Sequence, residues 1–202
     1  MLHILDVLFP PREDEKLVRD LPGNALLAYL TPQLVSATRP STVVLLPFAE
    51  SLVRSAIHEA KYHGSPAAFT LLAHVLTTHL TTYAPDSPAV ILVPVPLGVQ
   101  RRRERGYNQV EEIAKRAAQK LDLTLAPALL KRTRETVSQV SLPRETREEN
   151  MRGAFKAPHP LDPACTYIVI DDVLTTGATL QGAVEALRAA GATTIVPLAL
   201  AH

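Results

Sequence analysis

Two carboxylates and a run of small residues lie within nine positions of one another: Asp171 and Asp172, then Thr175, Thr176, Gly177, Ala178 and Thr179. Adjacent aspartates at the end of an apolar run can accept hydrogen bonds from vicinal hydroxyls or hold a hydrated Mg²⁺. Threonines and a glycine opening a helix place hydroxyls and backbone N–H groups where an anion is favoured. Lysine is absent from this turn, which separates it from the G-x-x-x-x-G-K-[ST] loop of nucleotide triphosphatases. A phosphate on one side and a diol on the other describe a ribose 5-phosphate, although the same residues could simply end a strand and cap a helix.

A second cluster is basic. Residues 93–109 read VPVPLGVQRRRERGYNQ, where prolines fix the backbone and Arg101, Arg102, Arg103 and Arg105 supply donor forks for phosphate oxygens. Taken alone, the loop is equally an exposed basic turn ahead of a helix. A nucleic-acid patch is the lesser alternative, because Tyr107 is the one aromatic interleaved with the arginines.

The elements that must position these clusters follow from apolar spacing. Residues 43–46 form a short run ending at Pro47, expected as an edge or hairpin strand. Leu52, Val53, Ala56, Ile57 and Ala60 recur at helical spacing, with Gly64 as the stop, and a second helix is expected over 66–82. Residues 89–93 suit a buried strand, and a polar loop follows. Asn108 caps a helix bearing Val110, Ile113, Ala114, Ala117 and Leu121 on one face. Residues 123–125 and 128–131 offer further strand material, and 132–152 form a long charged excursion. Residues 166–170 are a strand, 179–190 a helix stopped by Gly191, and 194–200 a closing strand. The alternation predicts an α/β fold with a central, mostly parallel sheet flanked by helices, and ligands beyond the carboxyl ends of the strands.

Composition supports this class. The chain has 202 residues, 47% hydrophobic and 4% aromatic, with no tryptophan; one main core is expected, built from Ala, Leu, Val and Ile. Prolines at 10, 11, 22, 32 and 40 mark residues 1–42 as an appendage to a domain over 43–202. A net charge of +1 and a pI of 7.9 give no global pull toward nucleic acid or an acidic membrane. The single Cys165 rules out an internal disulfide or a Cys-rich zinc site and suits a reducing cytosol. Neither a secretory leader nor a membrane span is expected, so the reading is a cytoplasmic protein.

The thirteen residues YIVIDDVLTTGAT, 167–179, resemble the phosphoribosyl pyrophosphate (PRPP) loop of type I phosphoribosyltransferases. More narrowly, K-Y-H-G at 61–64, P-V-P-L at 94–97, R-E-R-G-Y-N-Q at 103–109, and L-K-R-T-R-E-T through R-G-A-F over 130–155 resemble the ComF family of competence-associated phosphoribosyltransferase-like proteins. The resemblance runs in order over about residues 45–200. It implies that Asp171 and Asp172 contact ribose hydroxyls and hold Mg²⁺ directly or through water. Thr175, Thr176, Gly177, Ala178 and Thr179 then hold the 5-phosphate, and Val95, Pro96, Leu97, Arg101 and Arg102 meet the pyrophosphate. The segment 132–152, with Gln139 and Arg147, corresponds to a flexible hood loop closing over PRPP, and Lys61 is a further candidate for the same anion.

Two departures stand out. Members of that family commonly begin with a cysteine-rich zinc ribbon, and the N-terminal stretch here has no cysteine. Purine-salvage enzymes carry a base-directed aspartate where Thr175 stands. The resulting expectation is a Mg²⁺-dependent phosphoribosyl transfer to an unidentified nitrogen acceptor, linked to DNA uptake and natural competence. The alternative is a non-catalytic PRPP or nucleotide sensor working beside a competence helicase or other DNA-uptake proteins; direct nucleic-acid binding by the arginine run comes third. His58 with His63, and His74 with His79, lie five apart, a spacing that does not share a helix face, and are expected to be packing or surface residues. Cys165 is expected to be a small buried hydrophobe.

Overall fold

The computed structural model describes residues 12–82, 89–133, 153–158 and 160–202. Six strands form one sheet in the order β1 (Gln33–Val35), β2 (Thr42–Leu46), β8 (Thr194–Ala201), β7 (Thr166–Val173), β3 (Val90–Pro94) and β4 (Thr124–Leu125). Every pairing is parallel except β1 with β2. A separate antiparallel pair joins β5 (Lys131–Arg132) to β6 (Phe155–Lys156). The predicted parallel α/β sheet is therefore present.

Helices cover both faces, which is why the central strands read as unbroken apolar runs. On β7, Ile168 and Ile170 join one buried cluster while Tyr167 and Val169 join the other, following the period of two. The first cluster takes in α2 (Ser51–Tyr62), α3 (Pro66–Leu80) and α5 (Gln109–Leu121), and the second takes in α6 (Ala178–Ala189). The caps match the sequence: the Ser65 Oγ accepts from the Ala68 N–H at 3.4 Å with Pro66 at the first turn, and the Asn108 Oδ1 accepts from the Val110 N–H at 3.1 Å.

Elements within residues 12–42 pack into this same domain. Helix α1 (Glu13–Arg19) lies on α2, a short 3₁₀ turn (Ala25–Tyr29) lies on α3, and Val18 and Leu26 are fully buried in the first cluster. Arg12 forks onto the buried Glu59 at 3.2 and 3.0 Å. Packing thus runs across residue 42, where the sequence suggested the edge of an appendage.

Other local expectations are corrected by long-range pairing. Strand β2 is half of a hairpin with β1 but is interior, since β8 pairs along its other side. Strand β7 continues through both aspartates to Val173, because β8 offers Ala199 and Ala201 as partners. The polar loop after β3 contains helix α4 (Val99–Arg105), supported by a Gln100 to Glu104 hydrogen bond at 2.8 Å and closed by Gly106 at φ +78°. Of residues 128–131, Lys131 alone lies in a strand.

The chain leaves β7 through α6 toward β8, and leaves β3 through α4 and α5 toward β4, on the opposite side. The two strands are neighbours, so their carboxyl ends form a topological switch point, where such sheets open a crevice. Among the described residues, no helix is long and apolar enough to cross a membrane.

Candidate functional site

A cavity of about 840 Å³ opens at that switch point. The end of β7 supplies Asp171 and Asp172, the turn after it Thr175 and Gly177, and the start of α6 Thr179; the loop after β3 supplies Val95, Pro96 and Leu97, α4 supplies Arg101, Glu104 and Arg105, and the end of α2 supplies Lys61 and Tyr62. Gln109 and Arg132 complete its polar lining. Sequence-distant motifs thus meet on one rim.

The turn is fixed by its backbone. Gly177 has φ +81°, and a Cβ there would lie 2.5 Å from the carbonyl oxygen of Ala37, so only glycine fits at this point. The N–H of Leu174 donates to Ala201 O at 2.8 Å, tying the start of the turn to β8. The first N–H groups of the twelve-residue helix α6 have no intrahelical acceptor and carry the positive end of its dipole. Thr176 and Ala178 line a different cavity, with Ser36, Thr38 and Arg39, so they face away from Asp171. Residues 175–179 therefore alternate between two sides.

The loop after β3 is held as firmly. The Val95 N–H donates to Ile170 O at 2.9 Å, and the buried Asn108 donates through Nδ2 to Val95 O at 3.0 Å. Arg102 is directed elsewhere: it pairs with Glu111 at 3.1 Å on the solvent side and does not line the cavity, unlike Arg101. Gln139 and Arg147 lie outside the described residues.

The two aspartates have unlike surroundings. Asp172 is buried, with Oδ1 at 3.1 Å from Lys61 Nζ and Oδ2 accepting a short hydrogen bond from Gln109 Nε2. Gln109 Oε1 in turn accepts from Arg105 at 3.0 Å. Asp171 remains partly accessible and accepts a local hydrogen bond from the Asp172 N–H at 2.9 Å. Desolvation, and then the neighbouring Asp172 charge, push its carboxyl up to about 7, with Lys61 and Arg132 opposing. A carboxylate so disfavoured as an anion gains from a cation or a hydroxyl donor placed against it. Mg²⁺ suits this, since it keeps several waters and takes only one or two protein carboxylates beside phosphate oxygens. Asp171 is the carboxylate that fits it.

Gln109 and Tyr62 fall inside the quoted motifs without a role of their own there, whereas Arg105 is already among the arginines read as donors to phosphate oxygens. Gln109 could have been found: it shares a stripe with Ile113 and Ala117 at i, i+4 and i+8, and a buried amide on an apolar stripe needs a polar partner. The Arg105 guanidinium lies 5.0 Å from the Tyr62 ring, a pairing set by the approach of two distant helices.

The remaining titratable residues sit elsewhere. Cys165 is half-buried and precedes β7, at the end opposite the cavity. His58 and His63 do come together, with rings 5.6 Å apart and ligand atoms within 4.8 Å of Glu59, because His63 caps α2 and leaves the helical spiral. There Glu59 is already engaged by Arg12 and His58 by Asp14 at 2.9 Å.

A family model described as a phosphoribosyl transferase domain matches residues 111–201. Competence protein F of Haemophilus influenzae is 32% identical over 102 residues, covering 50% of this chain and 44% of that protein. DNA utilization protein YhgH of Escherichia coli (strain K12) is 30% identical over 146 residues, 69% of this chain and 62% of that protein. The matched stretch thus spans between 44% and 62% of the length of these curated relatives. Adenine phosphoribosyltransferase from Leishmania tarentolae aligns over 83% of this chain and 79% of its own, with a TM-score of 0.43 and 16% identity.

Proposed function

We propose that this chain, which carries a phosphoribosyl transferase domain of the type I fold and is homologous to Competence protein F and the YhgH proteins of the ComF kind, binds PRPP with Mg²⁺ and transfers its phosphoribosyl group to a nitrogen acceptor. The observation that carries this reading is one cavity lined by a small-residue turn at a helix N-terminus, a partly accessible carboxylate and a set of cations. The names of the relatives connect the activity to competence and the use of DNA; the acceptor is left open. A cytoplasmic setting follows for a PRPP-using protein with one half-buried cysteine.

In this arrangement the N–H groups opening α6, with Thr175 and Thr179, hold the 5-phosphate while Gly177 admits it closely. The aspartate end of β7 accepts the ribose hydroxyls. Arg101, Arg105 and Lys61 face the diphosphate across the cavity, oriented before the bond to C1 breaks, so charge on the leaving group meets donors that need no reorganisation. When bound, Mg²⁺ adds neutralisation of diphosphate oxygens. Walls built from Val95, Pro96, Leu97 and Leu174 keep the reacting carbon away from bulk water.

Calorimetry with PRPP and Mg²⁺ tests binding, and pyrophosphate release across a panel of bases tests transfer. Binding without release on any acceptor would instead favour a PRPP sensor, a reading motivated by Thr175, which lines the cavity where purine-salvage enzymes place an aspartate.

A further inference from the structure

The site already contains a cation in fixed register with its acidic strand end. Lys61 Nζ sits 3.1 Å from Asp172 Oδ1, and its side chain is only 22% exposed. Its place on α2 is set from outside the cavity: the Tyr107 hydroxyl donates to Ala60 O at 3.0 Å, one residue earlier, and the N–H groups of His63 and Ser65 both close on Glu59 O, at 3.1 and 3.3 Å. The other oxygen of Asp172 is taken by Gln109, whose own carbonyl oxygen is taken by Arg105. Lys61, Asp172, Gln109 and Arg105 form one continuous chain of polar contacts, with a cation at each end.

This chain divides the labour of the two aspartates. Each oxygen of Asp172 already accepts one contact, from Lys61 or from Gln109, and its side chain is 10% exposed, whereas Asp171 is the less enclosed of the two carboxylates lining the cavity. A lysine fixed in this way presents two further N–H donors and a point charge where a diphosphate would lie. With Lys61 and Gln109 already on its two oxygens, Asp172 could take a further ligand only by sharing those oxygens with both partners, and removing either partner would leave an unpaired buried group.

We propose that Lys61 is a resident counter-cation that supplies part of the charge neutralisation otherwise left to Mg²⁺, and that Asp172 with Gln109 is a positioning residue for Lys61. PRPP binding is then only weakly Mg²⁺-dependent, and Asp171 is the carboxylate that meets the ribose and any metal. This rests on the PRPP reading above.

The test is calorimetric titration of PRPP into the wild-type chain, Lys61→Met, Lys61→Arg and the charge-balanced double variant Lys61→Met/Asp172→Asn. Each is measured in excess EDTA and again in excess Mg²⁺. Wild type should bind in EDTA within about fivefold of its Mg²⁺ affinity, and Lys61→Met should lose about tenfold or more in EDTA, the scale of one charge-assisted contact. Mg²⁺ should restore most of that loss in Lys61→Met, because Asp172 is then open to a metal, and Lys61→Arg should behave as wild type. The double variant should show the EDTA weakness without the fold cost of an unpaired buried carboxylate. PRPP binding by all variants with the same Mg²⁺ dependence would overturn this proposal alone. Wild-type binding that appears only with Mg²⁺ would do the same. Absence of PRPP binding by wild type in both conditions would overturn the PRPP reading and this proposal with it.

Discussion

The turn after β7 and the arm that follows β3 face each other across the same cavity, but they are built on different physics. The turn is backbone: Gly177 pressed against Ala37, Leu174 tied to β8, and the N-terminus of α6 aimed inward. The arm is side chains: Arg101, Arg102, Arg103 and Arg105 on a two-turn helix, two of them exposed and one spent on Glu111. A backbone site is set before the ligand arrives and depends little on salt. Long arginines must lose rotamer freedom on binding and are screened. The turn should therefore decide whether a sugar phosphate binds, and the arm should adjust how tightly its diphosphate is held.

The sharpest way to break this contrast is at Gly177. Gly177→Val combines a left-handed φ with a Cβ 2.5 Å from a backbone carbonyl, so PRPP binding should vanish and stability should fall by about 2 kcal/mol or more. Chemical denaturation and calorimetry read both effects. Retained binding would mean that the turn is not preset.

Next in size is Asp171→Asn, which should weaken PRPP by about tenfold or more by removing the charged acceptor for the ribose hydroxyls and the metal. The same variant makes a prediction about pH. The folded-state carboxyl titrates at about 7, above its unfolded value, so wild-type stability should fall as pH rises toward 7 and stay lowered above it. Asp171→Asn should consequently raise the melting temperature of the unliganded protein more at pH 8 than at pH 5. An equal gain at both pH values would contradict the desolvation assigned to Asp171.

Within the arm, Arg101→Ala should weaken PRPP severalfold, more at low ionic strength than at high. Arg102→Ala, which removes a solvent-side pair with Glu111, should change affinity by less than about twofold. Equal losses for the two would mean that the arm acts as an undirected positive field.

Much of this was readable in the chain. The thirteen residues around Asp171 carry strand, turn and helix start in one local pattern, and the caps at Ser65 and Asn108 and the stop at Gly64 are likewise local chemistry. What escaped depends on distant partners. That β7 runs on to Val173 is decided by Ala199 and Ala201, and that Val18 and Leu26 belong to the core is decided by helices α2 and α3. The α4 helix was obscured because four arginines read as a loop, although arginine, glutamine and glutamate all favour helix. The unequal lives of Asp171 and Asp172 could not be read at all, since they are set by Lys61 and Gln109, over 60 positions away.

The claim that the β7 turn is a preset PRPP site is tested most directly by titrating PRPP with Mg²⁺ into the wild-type chain and into Asp171→Asn at matched pH. The account predicts saturable one-to-one binding by wild type and an affinity at least about tenfold weaker in the variant. No heat of binding in wild type, or an unchanged affinity in Asp171→Asn, would contradict it.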